Sequence, residues 1–332
     1  PMMLLHDGDE VSFADPAVDA SMCMRFVNRM RDAFIPDGAS LAESWANHPA
    51  SRDPDNGPER FGPGVAVGKR PLEQLRCVDV GDWEEVVVKT LGPCASPAEG
   101  DRFLRLLSAI IGTSHPALAA VVDGGLSWQG DAFVRWMATH YVDGLTARTI
   151  IRLHGFEVGS IVRILRTVSA GLRCLHARGV VHRDVSPGNI VVEEEGDAVL
   201  IDYGHAVLWE EGVAASPGVV GTPGYLAPEE VLEGGARVTP AVDVYGLAAV
   251  GHALLTGAPI ATGDDVLETL SRSTARPTPL REMGIIVPEA LDATLMAALS
   301  PEPAERPTMA SFERAMSFAE AQLPPPEPVE GV

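Results

Sequence analysis

The stretch His182-Arg183-Asp184-Val185-Ser186-Pro187-Gly188-Asn189, with Ile201-Asp202-Tyr203-Gly204 close behind, constrains this chain more than any other. Val180-Val181 and Ile190-Val191-Val192 read as short apolar strands on either side of a tight loop, and Val199-Leu200-Ile201 as another. Polar residues at the ends of such strands are held rigidly at a rim, where two carboxylates and a carboxamide can converge. Asp184 is suited to accept a proton from a hydroxyl nucleophile. Asn189 and Asp202 offer the oxygen ligands that Mg²⁺ prefers.

This string resembles the catalytic loop and metal-binding motif of the protein kinases, and further matches follow in order. Val86-Val87-Val88-Lys89 resembles the strand that carries the ATP-phosphate lysine, and His115-Pro116 the turn after the first large helix. Gly221-Thr222-Pro223-Gly224-Tyr225-Leu226-Ala227-Pro228-Glu229 is similar to the end of an activation segment of serine/threonine type. Asp243-Val244-Tyr245-Gly246 resembles the start of the central buried helix, and Arg306-Pro307 the late arginine that pairs with Glu229. Six matches in order over roughly residues 64–320 leave little room for coincidence, although any one alone is weak.

The resemblance implies an α+β, two-lobed kinase-like fold of bacterial style. A helical extension and linker would fill residues 1–60, and a small β-rich N-lobe with one helix 61–139. A hinge over 140–146, a larger, mainly helical C-lobe over 147–320 and a disordered proline-rich tail over 321–332 would follow. From the residues themselves, strands are expected at about 65–67, 72–80, 84–90, 118–126 and 131–138, with helices at 17–34, 97–112 and 158–178. Asn47 to Gly64, rich in Pro, Gly, Asp and Asn, reads as a linker.

The same resemblance assigns roles. Lys89 would hold the α- and β-phosphates of ATP, Asp202 and Asn189 the Mg²⁺ ions, and Asp184 the substrate hydroxyl. Gly68 and Lys69 fall in the loop that covers the phosphates, Leu75 and Val87 on strands beside the nucleotide, and Thr139 at the back of its pocket. Backbone groups of His140, Tyr141 and Val142 would face the adenine edge. Arg183, Ser186, Ser216, Thr222, Glu229, Asp243 and Arg306 take structural or regulatory places. Ser216 is the only serine or threonine between Gly204 and Gly221; a phosphoserine there could pair with Arg183 and order the segment, or Glu210 and Glu211 could serve unmodified. Thr222 is expected to position the loop beside Asp184.

Three departures from the family pattern bear on activity. Counting back from His115, the helix glutamate that normally pairs with the lysine falls on Leu106. Glu99, seven residues earlier, lies on nearly the same helix face but on the order of 10 Å away. Leu106 is therefore expected to pack. The glycine-rich loop is poor as well: from Gly68, the two later glycine positions hold Arg70 and Glu73 with Pro71 between, and Gly62-Pro63-Gly64 is a weaker alternative. Finally, Ser186 stands where serine/threonine kinases usually carry a lysine, and Tyr203 replaces a phenylalanine, adding a hydroxyl that needs a partner.

Composition narrows the partners. A formal net charge of −21 argues against nucleic acid or an anionic membrane. Of 25 basic residues only Lys69 and Lys89 are lysine, which favours a special role for Lys89. Cys23, Cys77, Cys94 and Cys174 lie far apart, and no leader pattern opens the sequence, so free thiols in the cytoplasm are expected. The apolar run Val244 to Ile260, broken by His252 and glycines, reads as a buried helix and not a membrane span. The leading expectation is Mg-ATP-dependent phosphoryl transfer to serine or threonine of a protein or peptide substrate. The alternatives are a pseudokinase that binds nucleotide without efficient transfer, and nucleotidyl transfer on the same fold.

Overall fold

The computed structural model describes residues 12–13, 22–23, 65–66, 74–78, 85–129, 132–209, 219–232, 238–260 and 276–323. Gly68, Lys69, Arg70, Pro71, Glu73, Glu210, Glu211, Ser216, the 47–64 linker and the proline-rich tail from residue 324 onward lie outside these residues, while Ala321 closes the last helix. The described residues fall into two compact units. The first takes the chain up to Thr113 and Ala120–Tyr141; the second takes Ser114–Ala119 and the chain from Val142 onward.

In the first unit, β1 (Ser12–Phe13) pairs antiparallel with β2 (Met22–Cys23). Met22 and Cys23 thus bond across a ladder and not along the helix expected over 17–34, the rest of which lies outside the described residues. Five strands form an antiparallel sheet in the order β3-β4-β5-β7-β6. They are β3 (Val65–Ala66), β4 (Gln74–Val78), β5 (Glu85–Pro93), and, after helix α1 (Pro97–Ile110), β6 (Val121–Gln129) and β7 (Ala132–His140). Along β5 the period of two buries Val86 and Val88 on one face and leaves Val87 and Lys89 on the other.

Helix α1 starts where the sequence supplies both a cap and a proline. Ser96 accepts a hydrogen bond from the Glu99 amide, and Pro97 occupies the first turn, where its missing N–H is no loss. Phe103, Leu104, Leu106, Leu107 and Ile110 form its buried stripe, which packs on β6.

The second unit opens with β8 (Leu145–Thr146), α2 (Ala147–Leu153) and α3 (Val158–His176). Four short strands follow: β9 (Val180–Val181), β10 (Ile190–Val192), β11 (Ala198–Leu200) and β12 (Val207–Leu208). They pair as β11-β10-β8 and β12-β9, all antiparallel. The remaining helices are α4 (Pro228–Leu232), α5 (Ala241–Thr256), α6 (Glu289–Ala298) and α7 (Met309–Ala321). Helix α5 is buried without a break from Val242 to Leu254 and packs against α3 and α6. Ile161, Leu165, Val168 and Leu172 of α3 complete this core. No helix among the described residues is long and apolar enough to cross a membrane.

One strand begins later than its apolar pattern predicts. Residues 118–120 look like the start of β6, but Ala119 donates to the Leu200 carbonyl at 3.0 Å and Leu200 to that of Ala117 at 2.9 Å. These backbone groups are satisfied in the second unit, so the sheet of the first unit takes up the chain only at Val121.

Candidate active site

The loop between β9 and β10 is held from below by one buried carboxylate. Asp243, in the first turn of α5, accepts the amides of His182 at 2.9 Å and Arg183 at 2.8 Å, and also His176 Nε2 at 2.8 Å. Burial alone would push its carboxyl up. The His176 hydrogen bond, the charges of His176 and His182 and the His182 amide outweigh that and hold it below the usual range. The grip has a structural purpose. Arg183 sits at φ 66° and Asp202 at φ 69°, in the left-handed region that costs a side-chain-bearing residue on the order of 1–3 kcal/mol. The Asp243 bond holds the Arg183 amide, and an Asp202 Oδ1–Gly204 N–H bond of 3.0 Å closes the second turn.

Above this base the half-buried Asp184 carboxylate is fixed at both oxygens. Thr222 Oγ1 donates to Oδ1 at 2.7 Å, and Asn189 Nδ2 to Oδ2 at 2.7 Å and to the Asp184 carbonyl at 2.9 Å. Because Asn189 turns its amide nitrogen toward Asp184, its carbonyl oxygen is the atom left to act as a ligand. Gly221 makes the approach of Thr222 possible: at φ 119° it lies so close that a Cβ would sit 2.9 Å from the Arg183 carbonyl and 3.6 Å from Asp184 Oδ1. Ser186 is buried, and its hydroxyl has no hydrogen-bond partner among the described residues. The extra hydroxyl of Tyr203 donates to the Ala119 carbonyl at 2.9 Å, and burial raises its pKa.

Two consecutive glutamates meet two arginines. Arg306 clamps Glu229 with bonds of 2.6 and 2.7 Å, while its other N–H groups reach the carbonyls of Ser300, Pro301 and Ala241 and its plane lies 4.9 Å over the Tyr245 ring. Glu230 instead pairs with Arg183, Nε to Oε1 at 3.0 Å, with both side chains 2% exposed. Burial pushes the Glu230 carboxyl up to about 7, against the smaller pull of Arg183. Arg183 is thus buried together with Glu230.

In the first unit, the register sets Val87 opposite Thr139 and Lys89 opposite Met137, so Val87, Lys89 and Thr139 share one sheet face. In the ladder Leu75 of β4 stands opposite Val88 of β5. His140 and Tyr141 use their N–H groups on the carbonyls of Ala120 at 2.9 Å and Glu85 at 2.7 Å. Those two amides are already engaged, whereas the Val142 amide has no such backbone partner among the described residues. Leu106 is 5% exposed within the α1 stripe, and Glu99 is tied to Arg135 at 3.0 Å and to the Ala95 amide at 2.8 Å.

Chemically, the loop presents an oriented, partly open carboxylate beside a carboxamide oxygen. Among the described residues no group of three or more His, Cys, Asp or Glu is placed to bind a metal. A cation would have to draw further oxygens from its own ligands beside Asn189 and Asp202, which suits a hydrated Mg²⁺ on phosphate. Sequence reasoning missed His176 and Glu230. Each is remote in sequence from the group it binds, and the one available signal was the doubled acid Glu229-Glu230.

The pattern described as Protein kinase domain matches residues 75–316. Serine/threonine-protein kinase PknK of Mycobacterium bovis is 34% identical over 242 residues, covering 71% of this chain and 21% of that protein. PknK of Mycobacterium tuberculosis matches to the same extent. Serine/threonine-protein kinase PknB of Mycolicibacterium smegmatis is 29% identical over 266 residues, 77% of this chain and 42% of that protein. The chain thus spans about a fifth of the PknK proteins and under half of PknB. With the oriented aspartate, the buried helix beneath it and the lysine strand all inside the matched span, the chain belongs to the protein kinase family, of the bacterial serine/threonine type.

Proposed function

We propose that the chain transfers the γ-phosphoryl group of Mg-ATP to a serine or threonine hydroxyl of a protein or peptide. The observation that carries this reading is the double grip on Asp184, by Thr222 Oγ1 and Asn189 Nδ2, which aims a half-buried carboxylate without neutralising it. In that role Asp184 orients the acceptor hydroxyl and takes its proton as the new P–O bond forms and the bond to ADP breaks. Asn189 and Asp202 would hold Mg²⁺, which supplies charge neutralisation at the phosphates when bound. Lys89, on the face shared by Val87 and Thr139, would contact phosphate oxygens, and Gly68 and Lys69 would cover them. Ser216, if phosphorylated, would act on the segment leading to Gly221.

Incubation with γ-labelled and α-labelled ATP in Mg²⁺ tests the reading. Label should pass to a serine- or threonine-containing protein from the γ position alone. Transfer from the α position would mean nucleotidyl chemistry.

A second reading has an observation of its own. Leu106 is buried where an acid would steady the lysine, and Glu99 is engaged with Arg135. Under that reading the chain is a pseudokinase that binds nucleotide, stabilises on it, and passes neither label.

A further inference from the structure

Arg148 lies in the first turn of α2, and its side chain runs over the catalytic loop. A Cβ on Gly188 would sit 2.7 Å from Arg148 Nη2 and 2.9 Å from its Cζ, so the guanidinium occupies the space that a side chain at 188 would take. The Arg148 amide donates to the Pro187 carbonyl at 2.9 Å, which anchors the start of α2 to the same loop. The Tyr225 hydroxyl is near enough to feel the Arg148 charge, although burial raises its pKa more. The guanidinium therefore lies directly against the catalytic loop at Gly188.

Arg148 is exposed, and its guanidinium has no ion-pair or hydrogen-bond partner among the described residues. Arg152, also exposed, follows four residues later, so the two cations share a helix face. Gly188 directly precedes Asn189, whose Nδ2 is 2.7 Å from Asp184 Oδ2. With Cα atoms about 3.8 Å apart, the guanidinium stands on the order of 10 Å from the Asp184 carboxylate, about three residues of extended peptide. The net charge of −21 repels acidic peptides at long range, but that field is screened beyond about 8 Å at physiological salt, and a direct guanidinium contact is not.

We propose that Arg148, with Arg152 behind it, binds a carboxylate or phosphate side chain within about three residues of the acceptor hydroxyl, making acidic peptides the preferred substrates. The proposal rests on the phosphoryl-transfer reading above.

The test uses the full chain, γ-labelled Mg-ATP and serine peptides that carry Glu, phosphoserine, Gln or Arg at each flanking position. Glu or phosphoserine near the acceptor should raise kcat/KM about tenfold over Gln, mainly through KM, and the two acidic arms show which anion is preferred. Arg148→Gln should abolish the preference, and Arg148→Glu should shift it to the Arg peptides. Wild-type protein indifferent to the flanking charge, or Arg148→Glu retaining the acidic preference, would overturn the proposal. If no peptide accepts label, the phosphoryl-transfer reading fails, and fluorescence anisotropy of a labelled Glu peptide decides the inference alone. Binding weakened about tenfold both by Arg148→Glu and by Glu-to-Gln exchange in the peptide supports it; equal binding in all cases sinks it.

Discussion

The catalytic loop of the second unit and the lysine strand of the first are built on opposite plans. From His182 to Asn189 the loop is tied by charged and polar bonds: Asp243 below, Thr222 and Asn189 on Asp184, Glu230 on Arg183. In the first unit, the helix position expected to carry an acid is a buried leucine, and the nearest glutamate is tied to Arg135. One region fixes its functional groups by hydrogen bonds whose loss leaves buried charge, the other by apolar packing that tolerates change more evenly. Any weakness in phosphoryl transfer should therefore arise in the first unit, not from a disordered base.

The largest effect expected is on chemistry. Asp184→Asn keeps the shape of the loop but removes the proton acceptor, and transfer from γ-labelled ATP should fall about 10²- to 10⁴-fold while nucleotide binding persists. Full activity in that variant would break the comparison at its centre. Next in size, Arg306→Ala leaves Glu229 facing carbonyls without its guanidinium; urea unfolding should report a loss of about 3–5 kcal/mol.

Leu106 sharpens the contrast from the other side. Leu106→Ala should cost about 2–5 kcal/mol by the same measurement, as for any buried leucine. Leu106→Glu should destabilise the protein and not speed transfer; a faster enzyme would mean that the position is a functional vacancy and not a packing site.

The smallest effect concerns pH. Burial raises the Glu230 carboxyl from its ordinary value of 4.5 to about 7. A group whose folded pKa is raised contributes stability that is full below the unfolded pKa and is lost as pH rises through the folded one. Thermal unfolding should therefore show Glu230→Gln gaining on the unaltered protein between pH about 4.5 and 7 and holding that gain above it. A gap that stays flat across this window would mean that the carboxylate is ionised in the fold throughout.

Much of the fold was legible because its signals are local. The strands flanking the 182–189 loop follow from short valine and isoleucine runs, α1 from Ser96-Pro97 and an apolar stripe, and α5 from an apolar run. The late start of β6 was not legible, since residues 118–120 have strand character and only Leu200 determines which unit they join. The register that sets Leu75 opposite Val88 was not legible for a related reason: it is decided by pairing with β5 and not by the strand's own residues. In the candidate site, residue types and their order could be read, whereas the partners of Arg183 and the closeness of Arg148 to Gly188 could not.

By itself the sequence determined the local strands and helices, because periodicity and turn residues act over a few positions, and the resemblance carried by its ordered motifs implied the kinase architecture. Only the tertiary structure decided which guanidinium meets which carboxylate. Glu229 and Glu230 are adjacent and chemically alike, yet one helical step turns a side chain by about 100°, sending one to Arg306 and the other to Arg183. The partners come from 77 and 47 residues away, and long-range packing alone brings them there.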